Sequence, residues 1–327
     1  MENYDFLGFF VAADFNNDGH QDLAAMNYES GSVGILVGDG NGTFETMQLL
    51  TNYNISETVY NKGKYWLTVG DFNGDGHIDI GFIDLTSCNI GLFLGYGNGF
   101  FTTQITLSSR SDLCYSSFVI ADFNGDGKQD IAVTIPTEFC VDVMFGYNNG
   151  SFEASLILST GIYSYPSSIV ANDFNRDRYL DIVVANTGNH NIGVFLGNGD
   201  RSFQAQMIFT TTASYPPVSI TAADFNGDGQ LDITFTILQA AYNLFSTKNF
   251  VYVLVGYGNG SFGEPVKIST WTLTPTHVGV GDFNGDGGFD LILLGNWESN
   301  NTIVLNASPC SIRNSSSQLY SSTTKFP

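Results

Sequence analysis

The stretch Asp71-Phe72-Asn73-Gly74-Asp75-Gly76-His77-Ile78-Asp79 puts side-chain oxygens at positions 1, 3, 5 and 9, a glycine at 6 and a free backbone carbonyl at 7. Alternate residues of a curled loop point inward, so three carboxylates and one amide converge. Hard divalent cations take six to eight oxygens at about 2.3–2.6 Å, and Ca2+ tolerates the irregular geometry of such a loop. Glycine at position 6 supplies the positive φ that a side chain resists. The first aspartate of this unit recurs at Asp14, Asp71, Asp122, Asp173, Asp224 and Asp282, at spacings of 57, 51, 51, 51 and 58 residues. A period of that size marks a repeat architecture, which constrains the fold more than any local propensity.

The spacing predicts up to six Ca2+ sites. Their ligands are Asp14, Asn16, Asp18, His20 and Asp22; Asp71, Asn73, Asp75, His77 and Asp79; Asp122, Asn124, Asp126, Lys128 and Asp130. The same pattern gives Asp173, Asn175, Asp177, Tyr179 and Asp181; Asp224, Asn226, Asp228, Gln230 and Asp232; Asp282, Asn284, Asp286, Gly288 and Asp290. At position 7 only the backbone carbonyl is used. The fourth loop has arginines at positions 4 and 6, where Arg178 replaces the glycine. That strained turn, with two cations beside it, is expected to be the weakest site. The first loop differs more mildly, with Asn17 at position 4.

Around each loop the chain reads as strands. An apolar stretch leads in, as in Ser168-Ile169-Val170-Ala171, and another leads out, as in Ile182-Val183-Val184-Ala185. A third run ends in glycine, as in Val194-Phe195-Leu196-Gly197. A turn with Asn-Gly or Gly-Asn follows, then a phenylalanine (Phe44, Phe101, Phe152, Phe203, Phe262), then a fourth strand. Short β-branched and aromatic runs bounded by turn residues are strands, and Asn-Gly between apolar runs is a hairpin signal. Four strands per period predict an all-β fold, a β-propeller of four-stranded antiparallel blades, with six blades expected and seven the alternative. Phenylalanine at loop position 2 (Phe15, Phe72, Phe123, Phe174, Phe225, Phe283) is expected to fill the space between blades. An EF-hand shares the 1-3-5-7-9 spacing but needs flanking helices and a Glu at position 12. Position 12 here is Ala25, Phe82, Val133, Val184, Phe235 and Leu293, which excludes it.

D-x-N-x-D-G-x-x-D between two strands, followed by a G-x-G-N-G-x-F turn, resembles the FG-GAP (VCBS-type) repeat of the integrin α-subunit propeller and its relatives. The resemblance covers about residues 7 to 306 and implies a Ca2+-binding propeller, usually extracellular, engaged in adhesion or ligand recognition. The sixth period lacks the turn motif after Val304-Leu305-Asn306, so its fourth strand comes from Ser311–Tyr320, from elsewhere, or is absent. Residues 1–310 are expected to form one propeller and 311–327 a Ser/Thr-rich tail or linker.

The formal net charge of −21 localises mostly to the loops, where three aspartates in each of six units supply 18 of the 32 acidic residues. With 11 Lys+Arg and no basic cluster, nucleic acid is a poor partner. An anionic membrane surface is disfavoured for the same reason. No apolar run is long enough to span a bilayer. The first residues are not a signal peptide, so the chain is expected to be a monomeric domain of a longer secreted or surface-anchored protein. Sequons at Asn41, Asn54, Asn149, Asn259, Asn300, Asn306 and Asn314 agree with an extracellular setting. Cys88, Cys114, Cys140 and Cys310 allow three pairings and are expected to form one or two disulfides.

Strand order puts the aspartate loops and Asn-Gly turns at one end of each blade and the variable connections at the other. Loops on a rigid scaffold carry function, and amphipathic aromatics are typical of recognition surfaces. The candidates for contact with an extracellular protein or glycan ligand are Tyr53, Tyr60, Tyr163, Tyr165, Tyr215 and Trp271. Catalysis needs a base and nucleophile placed together. Of the four histidines, His20 and His77 sit at loop position 7, His277 precedes a strand and His190 has no evident companion, so the chain is expected not to be an enzyme.

Overall fold

A computed structural model describes residues 7–27, 32–50, 67–84, 89–107, 115–153, 156–211, 215–237, 250–268, 275–282, 287–295, 302–304 and 323–325. Among these, there are six four-stranded antiparallel sheets, each a meander in chain order, and no α-helix. The sheets span residues 7–49, 67–107, 117–159, 166–210, 217–268 and 275–325. One short 3-10 turn, Pro136–Glu138, joins two strands of the third. The chain divides into two compact units, Met1–Ile157 and Leu158–Pro327, with the boundary inside the outer strand of the third sheet.

The fourth sheet shows how residue type sets position. Its strands are Pro166–Asn172, Asp181–Asn186, Asn191–Phe195 and Met207–Thr210. The second and third are buried along their whole length, which is why they read as continuous apolar runs rather than alternating ones. The outer strand alternates between half-buried and exposed. The first strands of the last three sheets begin with Pro166, Pro217 and Pro275, and each has a register shift at that proline. Proline lacks the N–H a ladder needs and is tolerated at a strand's first residue or a bulge.

Neighbouring sheets within a unit share a core. In the first unit Phe15 and Ile35 pack with Leu67 and Phe82, and Phe72 and Leu92 pack with Phe118 and Val133. In the second, Phe174 and Val194 pack with Ile220 and Phe235, and Phe225 and Val253 pack with Val278 and Leu293. The position-2 phenylalanines Phe15, Phe72, Phe123, Phe174 and Phe225 are all buried, as the repeat implies; Phe283 lies outside the described residues. Three of them meet, edge to face, the turn phenylalanine of the next sheet: Phe15 with Phe101, Phe72 with Phe152 and Phe174 with Phe262.

The tail is not all linker. Thr323–Lys325 pairs antiparallel with Thr302–Val304 and forms the fourth strand of the last sheet. Unpaired N–H and C=O groups along Thr302–Val304 would otherwise form an open edge, and two β-branched threonines suit the closing strand. Ser311–Tyr320, the other source considered for this strand, lies outside the described residues.

Candidate functional site

In each described aspartate loop the backbone curls so that positions 4 and 6 take positive φ. Gly74 and Gly76 stand at 72° and 81°, and Gly227 and Gly229 at 71° and 80°. The fourth loop keeps this path with arginines, Arg176 at 65° and Arg178 at 75°. Asn17 in the first loop stands at 58°, a conformation asparagine tolerates.

The same hydrogen bonds recur inside the loops. Asp71 accepts from the N–H of Gly74, Asp75 and Gly76 at 2.6, 3.2 and 2.9 Å. Asp173 accepts from Arg176, Asp177 and Arg178 at 2.6, 3.2 and 2.9 Å, so the arginine loop has the full pattern. Asn73 Oδ1 takes the N–H of Asp75, and Asp75 Oδ1 takes the N–H of His77 at 2.8 Å. The bond between positions 5 and 7 repeats at His20, Lys128, Tyr179 and Gln230. In the third loop Lys128 Nζ also lies 3.5 Å from Asp126 Oδ2. Asp14, Asn16, Asp122, Asn124, Asn175, Asp177, Asp224, Asn226 and Asp228 occupy equivalent places. In the sixth loop Asp282 accepts from Gly287, while Asn284 and Asp286 lie outside the described residues.

Position 9 behaves differently. Asp22, Asp79, Asp130, Asp181 and Asp232 are wholly buried, and each carboxylate binds two backbone N–H groups. One oxygen of Asp79 accepts from Phe72 at 2.7 Å, and the other from Gly95, in the turn after the third strand, also at 2.7 Å. The pair repeats for Asp22 (Phe15, Gly38), Asp130 (Phe123, Gly146), Asp181 (Phe174, Gly197) and Asp232 (Phe225, Gly256). Asp290 is buried likewise. Burial pushes the Asp79 carboxyl up, its two N–H donors pull it back, and the charges of Asp75 and Asp71 add to the rise, to about 6. Asp130 and Asp181 also rise to about 6, and Asp232 to about 7, for the same reasons in the same order. In these four loops the charges at positions 1 and 5 therefore lie close enough to add to the rise at position 9.

Each loop offers only oxygen donors of Asp, Asn and backbone carbonyl. A carboxylate has about four lone-pair sites, so accepting one to three N–H bonds leaves sites over. Among the described residues no group of three or more His, Cys, Asp or Glu side chains is gathered for a metal as it stands.

The glycines of the turn have two jobs that spacing alone did not disclose. A Cβ on Gly95 would lie 2.3 Å from the carbonyl oxygen of Ile78, and the same clash holds at Gly38, Gly146, Gly197 and Gly256. Glycine there lets the turn approach the loop and donate to the position-9 aspartate. The next glycine takes positive φ and lies under the position-7 side chain: Gly40 under His20, Gly97 under His77, Gly199 under Tyr179 and Gly258 under Gln230. In the first loop position 4 faces the turn of the second sheet, where Asn17 Nδ2 donates to the Gly97 carbonyl at 3.0 Å. A backbone bond joins the same parts, Gly99 N–H to Phe15 carbonyl at 3.1 Å and Gly260 to Phe174 at 3.1 Å.

The expected recognition residues Tyr163, Tyr165 and Tyr215 lie at the opposite end of the fourth and fifth sheets, in segments joining consecutive sheets. Tyr163 and Tyr165 are exposed and Tyr215 is half-buried. Tyr53, Tyr60 and Trp271 lie outside the described residues, as do Cys88, Cys114 and Cys310; Cys140 is buried. The loop end is not bare of aromatics. Tyr96, Tyr147 and Tyr257, each following the first glycine of its turn, are exposed there; that shared place in the repeat was the signal that could have found them. No helix among the described residues is long and apolar enough to cross a membrane.

A sequence model of the FG-GAP-like repeat matches residues 14–82, 71–133 and 173–235, and one of the FG-GAP repeat matches 115–152. No curated protein matches the chain. Among solved structures, the chain is similar to an Agrocybe aegerita lectin described for specific recognition of non-reducing terminal N-acetylglucosamine. The two share 18% identity over 93% of this chain and 78% of that one, with a TM-score of 0.63. It is also similar to a chain of Bacteroides uniformis assigned as a 6-phosphogluconolactonase, at 13% identity over 97% and 83% of the two chains and a TM-score of 0.63. A third is the V. cholerae biofilm matrix protein Bap1, at 19% identity and a TM-score of 0.50, covering 92% of this chain and 44% of that one. Likeness at these identities shows the fold, an all-β propeller type built of four-stranded antiparallel blades.

Proposed function

Given that the chain belongs to the FG-GAP repeat family, we propose that it is an extracellular, Ca2+-stabilised propeller domain that recognises a protein or glycan ligand and is not catalytic. The observation that carries the metal part is the repeated loop. Three carboxylates, an asparagine and a backbone carbonyl, all oxygen, recur on one backbone path, and burial, with a smaller push from the neighbouring carboxylates, raises the position-9 aspartate. Donors of this chemistry fit a hard cation such as Ca2+ and do not fit zinc, which favours nitrogen and sulfur. The ligands would be the side chains at positions 1, 3, 5 and 9 and the carbonyl at 7. A bound cation would neutralise the crowded carboxylates and tie the loop more firmly to its sheet.

Recognition is supported by the exposed aromatic connections at the other end and by the likeness to a lectin. The likeness to a biofilm matrix protein supports a second reading, a structural domain within a surface protein. The lactonase-assigned neighbour, at 13% identity, shares the fold alone. His20 and His77 pack on turn glycines.

Binding to arrays of glycans and of extracellular proteins, with Ca2+ and with EDTA, tests this reading. Recognition predicts discrete ligands bound in Ca2+ and lost in EDTA. A chain that binds nothing under either condition would be the structural domain instead.

A further inference from the structure

We propose that the second unit carries a preformed site for a neutral saccharide at the end opposite its aspartate loops, built from segments 161–165 and 187–190. The proposal rests on the recognition reading above and narrows it to a place and a ligand class.

The first observation is backbone strain concentrated in one spot. Tyr163, Tyr165 and His190 stand at φ of 61°, 43° and 53°. Each costs a side-chain-bearing residue on the order of 1–2 kcal/mol. Glycine or asparagine would adopt this conformation with less strain. Strain of this kind persists only where the surroundings over-determine it, and it clusters at ligand clamps.

The surroundings do over-determine it. Gly188 N–H donates to the Ser164 carbonyl at 2.8 Å, and Asn189 Nδ2 to the Ile162 carbonyl at 3.2 Å. The Thr160 and Ser164 hydroxyls, both buried, are 2.7 Å apart. Thr211 Oγ1 donates to the His190 carbonyl at 2.7 Å, fixing the second segment from the next connection. A Cβ on Gly188 would stand 2.0 Å from the Tyr163 carbonyl oxygen, so the segments are as close as backbone allows.

This frame holds apolar groups out to solvent. Ile162 is 73% exposed and Tyr163 66%, the two highest values among the described large hydrophobic residues. A backbone already held in one conformation loses little entropy on binding, the usual basis of preorganised affinity.

The ligand class follows from charge. Neither segment has an Asp, Glu, Lys or Arg side chain, in a chain of formal net charge −21. An anionic or cationic ligand would find no counter-charge here, and a protein interface of ordinary size is anchored by Arg as well as Tyr and Trp. A pyranose matches what is present. Its C–H face packs on the negative face of a tyrosine ring, and its hydroxyls match the amide of Asn189 and the imidazole of His190.

The test is saturation-transfer NMR on the full chain in Ca2+. The probes are methyl glycosides of glucose, galactose, mannose and N-acetylglucosamine, with sialyllactose as a charged control. At least one neutral glycoside should bind. Tyr163→Ala should weaken it about tenfold or more, Tyr163→Phe should keep it, and Tyr257→Ala, at the loop end, should not change it. If Tyr163→Ala lowers the melting temperature, Ile162→Ala at the most exposed position takes its place with the same expectation. Binding that survives both variants would overturn this site while leaving glycan recognition standing. Binding of sialyllactose alone, or of no glycoside while a protein ligand is captured, would overturn the saccharide class and leave recognition standing.

Discussion

Arg178 occupies the position where the other described loops have glycine, at a φ of 75°, and its N–H still donates to Asp173 at 2.9 Å. The loop is therefore correctly formed but strained. The sequence discloses the substitution, and only the structure shows that the backbone does not move to relieve it. Replacing a left-handed arginine by glycine removes on the order of 1–2 kcal/mol of strain, partly offset by the greater freedom of glycine in the unfolded chain. Arg178→Gly should raise stability by about 1 kcal/mol, read as a higher denaturation midpoint in urea at unchanged slope. A lower midpoint would mean that the arginine side chain makes contacts worth more than the strain. At this scale the position-9 aspartates were legible as oxygen donors. Their bonds to a glycine 16 or 24 residues on were not, because no local pattern links residues such as 79 and 95.

At the scale of the element, the aspartate loop and the hairpin turn of one sheet are a single interlocked piece. Gly95 donates to Asp79 and sits where a Cβ would be 2.3 Å from a backbone oxygen, whereas Gly76 has nothing within 4 Å of its Cβ position but a φ of 81°. Gly95→Ala must push the turn off the loop and strand a buried carboxylate, costing about 3 kcal/mol or more. Gly76→Ala meets only the backbone penalty of about 1 kcal/mol. Denaturant titration of the two variants should separate them by that margin, and equal losses would contradict the interlock. The period, the four strands and the buried position-2 phenylalanine could all be read from the sequence, since each is a local pattern repeated. Asn-Gly announced a hairpin, but Gly95 pairs with Phe101 across a wider turn, where Asn98 Oδ1 accepts the N–H of Phe100. The closing strand Thr323–Lys325 was not legible, because three residues far from their partner carry no periodicity.

At the scale of the molecule, two units of stacked four-stranded sheets repeat one motif with little change, and the account's central claim is that metal completes it. The acidity that makes the chain extreme in charge is concentrated in the loops where the cation is proposed to bind. In four of the loops the carboxylates at positions 1 and 5 add to the rise of a buried aspartate, Asp79, Asp130, Asp181 or Asp232, held up to about 6 or 7 mainly by burial. Binding to the native state alone adds about 2.7 kcal/mol per independent site at a hundredfold excess over Kd. The most direct measurement is thermal unfolding of the chelator-stripped chain at pH 7.5, with and without millimolar Ca2+. The account predicts a rise of roughly 10 °C or more with Ca2+, reversed by EDTA. Superimposable melts would contradict it.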